Sequence, residues 1–575
     1  MPVFWSSRLM YLSFLGLICA CGAIIWESPT PSFAQTAPAP SQLLPQNLRP
    51  SAAPALGSSF IGSPLEIIAP KGSQKAFVSL DHIDIENGFA EFTEASHELI
   101  APLLGQRHSI ADLYALANAL EQIYAQAGFV LVRVNVPHQQ LRDHGTLHLH
   151  ITDGFIEEIN IDHIPAGARD IVRARTQALL HQRHIKLSQI ERALLFAGQI
   201  AGISLKSTLA RGNEQGGSKI ILEATSKPFS FSITTDNRLP LSIGTWEQTS
   251  LLGFNNPFGF GEQIYSTLAS STDFDHAFDS SAKLRTAAFG TIIPIGADGW
   301  SFNPEYTYSR SRPTPTSGSA QTLSHFQRLS ARLDYLALLT RTQSLTYSLR
   351  IEDITQSSTY EASQLDISSD HYRVARLSAN FETDLPWFYQ NLQITPGLSQ
   401  GLGGRKGDNI PLSRQGASSS FTKMSIDARL TTQLNETTQF VVFPHAQTSF
   451  GKAVLSSEQL SLDGAQSISN VPSGSYSLDE GMALRAELQH NIAFKALNLP
   501  LSPYLFAAGG YGVLNDPTAL ETAQIRAAAL GLGLRSQYAI GQSNITASAE
   551  VAREYSHSTL ALRSWRSFVS LGLSF

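Results

Sequence analysis

Cysteine is almost missing from these 575 residues: Cys19 and Cys21 are the two, both near the amino terminus. If the leader that holds them is removed, the remaining chain can form no disulfide, thiolate metal site or cysteine nucleophile. Charge is also scarce, at 15% of residues, and the net balance of −6 argues against a nucleic-acid partner. Beyond the leader no run reaches the 18 or more apolar residues of a membrane helix. No H-E-x-x-H signature is present and no Ser/His/Asp set has a reason to converge, so no catalytic or cofactor-binding residues are assigned. The glycine-rich stretch 401–407 lacks P-loop spacing and a following helix, and reads as a surface loop.

What is present begins with an export signal. Arg8 gives a positive start, residues 9–25 an apolar core, and Ser32-Phe33-Ala34 small residues before a cut. Residues 1–34 are therefore read as a signal peptide; Ile18-Cys19-Ala20 is a poor context for lipid attachment at Cys21. Residues 35–75 form a proline-rich linker. Pro45 and Pro50 deny it a long helix, leaving room for a short helical plug between Ser41 and Arg49.

From about residue 229 the pattern has period two. Leu329, Ala331, Leu333 and Tyr335 alternate with Arg328, Ser330, Arg332 and Asp334. Leu345, Tyr347, Leu349 and Ile351 alternate with Thr346, Ser348, Arg350 and Glu352; similar runs surround Arg376 and Arg485. One apolar and one charged face over long strands suits a transmembrane barrel, although a large soluble β-domain would also alternate. Sixteen candidate strands fit 228–575, an even number as single-chain bacterial barrels use. The inward arginines are read either as a selectivity lining or as partners of Asp334, Glu352, Glu382 and Glu487.

Between linker and barrel one element order, β-α-α-β-β, occurs twice, over 76–153 and 154–227. Ser109-Ile110-Ala111-Asp112 and Ser188-Gln189-Ile190-Glu191 look like capping boxes opening one helix in each. His148 and His150 share a strand face with His144 nearby, but a metal would need a further placed ligand, and no metal is assigned.

Three segments carry a resemblance. Ile123-Tyr124-Ala125-Gln126-Ala127-Gly128-Phe129, Val136-Pro137-His138-Gln139-Gln140-Leu141 and Asp153-Gly154-Phe155-Ile156-Glu157 resemble the first POTRA module of two-partner secretion transporters. Those are outer-membrane proteins of the hemolysin and filamentous-hemagglutinin type. Asn255-Asn256-Pro257-Phe258-Gly259-Phe260-Gly261-Glu262 is similar to the family's early barrel turn, where Asp is commoner than Glu262.

The resemblance implies two α+β POTRA modules followed by a 16-stranded antiparallel transmembrane β-barrel. It also implies export of an unfolded secreted partner from periplasm to surface without nucleotide. The alternatives are an outer-membrane assembly factor of the same superfamily and a passive porin. A client adding to a strand edge would meet Phe129, Val132, Val134, Leu147 and Leu149, or Ile203 and Leu205. Phe575 would end the strand read by the barrel-assembly machinery, and the barrel's outer face would meet outer-membrane lipid.

In such transporters a long loop folds into the lumen and its arginine pairs with an aspartate on the wall. Here the corresponding tip is Ile468, Ser469, Asn470 and Val471, facing a wall segment with Phe506, Ala508 and Gly510. Ser469 and Ala508 stand where the charged pair belongs. The expectation is a loop held by neutral hydrogen bonds alone.

Overall fold

A computed structural model describes residues 38–45, 48–50, 68–271, 282–315, 320–385, 390–404, 410–494, 499–519, 521–556 and 565–575. The leader, both cysteines, much of the linker and the basic end of the 401–407 stretch lie outside those residues.

The first module runs β1 (Phe77–Glu86), α1 (Thr93–Ile100), a three-residue β2 (Arg107–Ser109), α2 (Ile110–Gln126), β3 (Arg133–Asn135) and β4 (Gly145–Thr152). Its sheet order is β2-β1-β4-β3, with β1 and β4 parallel. The Ser109 cap forms as its sequence demands: Asp112 N–H donates to Ser109 Oγ, and Ser109 N–H to Asp112 Oδ2. Helix α2 then buries Leu113, Leu116, Leu120 and Tyr124 against Leu147, Leu149 and Ile151. The strand after α2 is short, Arg133–Asn135, because Phe129–Val132 turns into the core first.

The second module runs β5 (Phe155–His163), α3 (Ala166–Thr176), α4 (Leu187–Ala197), β6 (Ile203–Arg211) and β7 (Gly217–Ser226), in sheet order β5-β7-β6. Its cap sits two residues before the expected box: Lys186 N–H donates to Gln189 Oε1, and Ser188 is already inside α4. Arg175 is buried between the helices and donates to the carbonyls of Phe196, in the last turn of α4, and Gln199, just past it, where the helix dipole favours a cation. Burial lowers its pKa to about 10, still charged at neutral pH.

The remaining chain closes on itself. Its strands are β8 (Phe229–Asp236), β9 (Glu247–Asn255), β10 (Gln263–Ser271), β11 (Leu284–Ile295), β12 (Trp300–Ser311), β13 (Thr322–Leu339) and β14 (Gln343–Tyr360). Then follow β15 (Leu365–Leu385), β16 (Gln390–Gly404), β17 (Thr422–Gln433) and β18 (Thr438–Thr448). A two-residue pair within the next loop makes β19 (Leu460–Ser461) and β20 (Ser477–Leu478). The wall resumes with β21 (Glu480–His490) and β22 (Ile492–Phe494), halves of one strand broken at Asn491, then β23 (Leu499–Val513), β24 (Gln524–Ile540), β25 (Ser543–Ser556) and β26 (Trp565–Ser574). Counted so, the barrel has 16 antiparallel strands.

The wall is uneven. β13, β14 and β15 span 18, 18 and 21 residues. The closing seam pairs β26 with β8 only from Ser570↔Asp236 to Ser574↔Ser232. Phe575 finishes it by exchanging backbone hydrogen bonds with Phe231, 2.7 and 3.0 Å.

The early barrel turn joins barrel and second module. Glu262 accepts from the N–H groups of Phe258 and Phe260, and Asn256 Nδ2 donates to Gly167 O at 3.0 Å. Gly261 has φ +78°, a conformation a side chain adopts only under strain, and a Cβ there would lie 2.7 Å from Ile171 Cδ1 on α3. Glu262 thus closes this turn with one methylene more than an aspartate.

Candidate functional site

Period two sends Leu484, Leu505 and Leu532 outward, each more than half exposed. Their neighbours Arg485, Phe506 and Gly531 point into the barrel, and the connection 449–479 packs on that inner face. Leu462, Ile468, Val471 and Tyr476 of the loop form one cluster with Tyr504, Phe506 and Ala508 of the wall. An added Cβ on Gly510 would lie 3.2 Å from Ile468 Cδ1, so the glycine admits the tip. The loop therefore occupies the lumen.

The loop braces itself through Asp463, which accepts from Ser461 Oγ at 2.7 Å and from the N–H groups of Tyr476 and Gly474. Its tip meets charge. Ser469, fully buried, donates to Glu550 and accepts from Arg485 Nη1 at 2.6 Å. Arg485 lies 3.7 Å from the centroid of Phe506 and pairs with Glu487 and Glu550 at 2.7 and 2.6 Å. Tyr476 donates to Glu554. Asn470 is buried beside Ser469, and its amide finds no hydrogen-bond partner among the described residues.

The base of the loop carries the larger departure from expectation. A single helical turn, Ser456–Glu458, aims Glu458 at the opposite wall. There its carboxylate accepts from Arg376 Nη2 and Nη1 at 2.6 and 2.9 Å, from Lys423 Nζ at 2.8 Å and from Tyr372 Oη at 2.7 Å. Arg376 also pairs with Glu352 at 2.6 Å, and Glu352 receives Arg350 at 3.3 Å and Arg328 at 3.7 Å. Arg328 ends the chain of charges on Glu305, 2.9 Å away. So the loop is not held by neutral hydrogen bonds alone. It carries an acid and the wall carries the bases, the reverse of the arginine-on-loop arrangement. The inward arginines do pair with Glu352 and Glu487, whereas Glu382 accepts from Asn391 instead.

Beside the loop lies the amino-terminal segment. Its described part has one short 3-10 turn, Pro40–Leu43. Leu43 is buried with Leu239, Ile243 and Leu284, and Gln42 Nε2 donates to Gln459 Oε1 and Ser456 O on either side of Glu458. Deeper, Thr267 Oγ1 donates to Leu48 O, and Arg49 pairs with Asp334 at 3.3 Å. Above the lumen Arg414, from the loop between β16 and β17, reaches Asp479 at 3.3 Å and the carbonyl of Asn515. One buried guanidinium thus ties three loops across the mouth.

The module residues proposed to touch a client are core side chains. Phe129, Val132, Val134, Leu147, Leu149, Ile203 and Leu205 are all buried, so only backbone could meet another chain at their positions. Leu147 and Leu149 do not offer even that, because they pair with β1 and the Gln139 amide covers the free side of β4 at His148 between them. β3 is an edge, but Val134 N–H already donates to the buried carboxylate of Glu121, which also holds Arg133 at 3.1 Å. β6 differs: it pairs with β7 alone. The bond from Gly212 N–H to Gly217 O sets its phase, so the N–H groups of Leu205, Ser207 and Leu209 face away from β7. They make no bond to another element among the described residues.

Residues 216–536 match the family described as haemolysin secretion/activation protein ShlB/FhaC/HecB, and residues 78–154 match the ShlB-type POTRA domain. The outer membrane transporter CdiB of Escherichia coli is 24% identical over 430 residues, 71% of this chain and 68% of that protein. The hemolysin transporter ShlB of Serratia marcescens is 26% identical over 360 residues, 60% of each chain. Among solved structures, CdiB from Escherichia coli superposes with a TM-score of 0.66 at 19% identity, covering 91% of this chain and 94% of that one. CdiB from Acinetobacter baumannii gives 0.59 at 16% identity, covering 99% and 98%.

Proposed function

The chain belongs to the haemolysin secretion/activation family of two-partner secretion transporters, and from that membership we propose that it exports one unfolded, secreted protein of the hemolysin, hemagglutinin or adhesin type. It is an outer-membrane transporter with periplasmic POTRA modules, and its family consists of transporters rather than enzymes. In this reading residues 1–34 are a removed signal peptide, the modules at 76–153 and 154–227 receive the client, and the barrel from 228 conducts it. Transit uses no nucleotide. The strand ending at Phe575 is the segment that the barrel-assembly machinery reads, and the outward leucines meet lipid.

The observation that carries the proposal is the pairing of an unpaired strand edge with a lumen filled by the protein's own chain. An extended client can add to β6 through main-chain hydrogen bonds, which give affinity without fixing its sequence. For the client to pass, the loop at 449–479 and the segment at 38–50 must leave the pore. Their contacts with the wall are hydrogen bonds and ion pairs, which a passing polar chain can replace bond for bond.

Deletion of the gene tests the function. The expected result is loss of one large secreted protein with the outer-membrane protein profile unchanged. A general fall in barrel proteins would identify an assembly factor, and an unchanged secretome would refute export. Ser207→Pro tests the docking edge, since it removes one outward donor without breaking the β6–β7 ladder. Secretion should drop severalfold while the melting temperature of the purified protein holds. Full secretion with the variant folded would refute addition at β6.

A further inference from the structure

Seven of the 16 histidines lie in 76–153, together with many carboxylates and few arginines. Two of the seven, His148 and His150, are two apart on β4 and so share a face. The sequence supplies no further ligand nearby, but the fold does. β1 lies beside β4 in parallel register, with Asp84 opposite His148 and Glu86 opposite His150. Ile83, Ile85, Leu147 and Leu149 turn to the core, so the two carboxylates and two imidazoles stand together on the solvent face.

The distances are longer than good hydrogen bonds and place the ligand atoms within reach of one shared cation. His148 Nδ1 is 3.4 Å from Asp84 Oδ2 and 4.0 Å from Glu86 Oε1, and His150 Nδ1 is 3.4 Å from Glu86 Oε2. A good N–H···O bond is about 2.7–3.2 Å long. Ligand atoms bound tetrahedrally at about 2.0–2.2 Å are about 3.3–3.6 Å from one another. Asp84, Glu86 and His148 each place a ligand atom within 4.8 Å of the others. The backbone beneath is fixed: Gln139 pairs with both the N–H and the C=O of His148, at 3.0 and 2.8 Å, where β3 has ended.

We propose that Asp84, Glu86 and His148 bind a borderline divalent cation of the zinc class, with His150 supplying a fourth donor or leaving that position to water. Mixed imidazole and carboxylate donors favour zinc over calcium or magnesium, which take oxygen ligands in larger number. Carbonyls and extra carboxylates that a calcium cage needs are not part of this face. An open fourth position on a module face would also let a client's histidine or carboxylate complete the shell.

Calorimetric titration of the untagged, full-length protein in detergent with zinc chloride tests the site after dialysis against chelator. One zinc per chain at micromolar concentration is expected, with no heat from calcium chloride. His148→Ala and Asp84→Asn should each weaken binding by at least about tenfold. These side chains are about half exposed, so neither change should move the melting temperature. His97→Ala, on α1, should bind as the parent does. Equal zinc binding by the parent and His148→Ala would overturn the site, as would no binding by the parent.

Discussion

At its base the lumen loop offers a carboxylate, Glu458, to two wall cations, Arg376 and Lys423, that otherwise have only Glu352 to offset them. At its tip it offers the hydroxyl of Ser469 to a wall pair, Arg485–Glu550, that stands without it. The tip was the place to look by resemblance, yet the base carries the charge. The physical difference is what remains when the loop leaves. Losing Ser469 costs the wall one hydrogen-bonding partner. Losing Glu458 leaves Arg376 and Lys423 facing each other across a confined space, with only Glu352 to offset them. The base should therefore decide how firmly the loop stays, and the tip should decide how well it fits.

The largest expected effect follows from breaking the base. Arg376→Ala or Glu458→Ala leaves a buried charge without its partner, a loss of about 3–5 kcal/mol in comparable sites. Limited proteolysis should then cut within 449–479, where the parent resists. Next comes Ser469→Ala, which removes a hydrogen bond to charged groups worth about 1.5–3 kcal/mol. It should lower the melting temperature by less than either base variant, and the loop should remain protected. A tip variant more damaging than a base variant would reverse the comparison. Arg49→Ala, at a partly exposed ion pair with Asp334, should cost about 1 kcal/mol or less. Its signature should be faster cleavage of the segment before residue 50 with the loop still seated.

The smallest effect lies outside the barrel. The backbone N–H and hydroxyl of Ser109 hold the Asp112 carboxyl below its usual pKa. A depressed folded-state pKa stabilises the module above the unfolded value, near about 3.9, and the contribution fades as pH falls through the folded value. Amide protection at the first turn of α2, taken relative to the intrinsic exchange rate at each pH, should fall below that range in the parent. Asp112→Asn should remove the pH dependence.

Much of this architecture was readable beforehand, for definite reasons. Period two survives in any strand with one wet face, so the barrel was visible in 329–335 and 345–352 alike. The Ser109 cap was legible because its bonds span three residues. The latch was not. Glu458 meets Arg376 across 82 positions, and no local pattern links them. A signal did exist: inward arginines 328, 332, 350 and 376 cluster on three neighbouring strands, a concentration of positive charge that a carboxylate from elsewhere can share. The second module's cap was misplaced because Gln189, not Ser188, closes it. The closed edge at β3 was hidden because Glu121 reads as one more polar residue on a helix, until its carboxylate is seen on Val134 N–H. The same holds for Asp84 and Glu86, which only register with β4 places beside the two histidines.

The central claim is that a reversed charge pair holds the loop in the pore, and planar-bilayer conductance of the purified protein tests it most directly. Parent protein should be mostly closed, and Glu458→Arg and Arg376→Glu should each open it. The double variant, with the two charges exchanged, should return most of the way to the parent. Single variants as silent as the parent, or a double variant as open as the sum of its singles, would contradict the account.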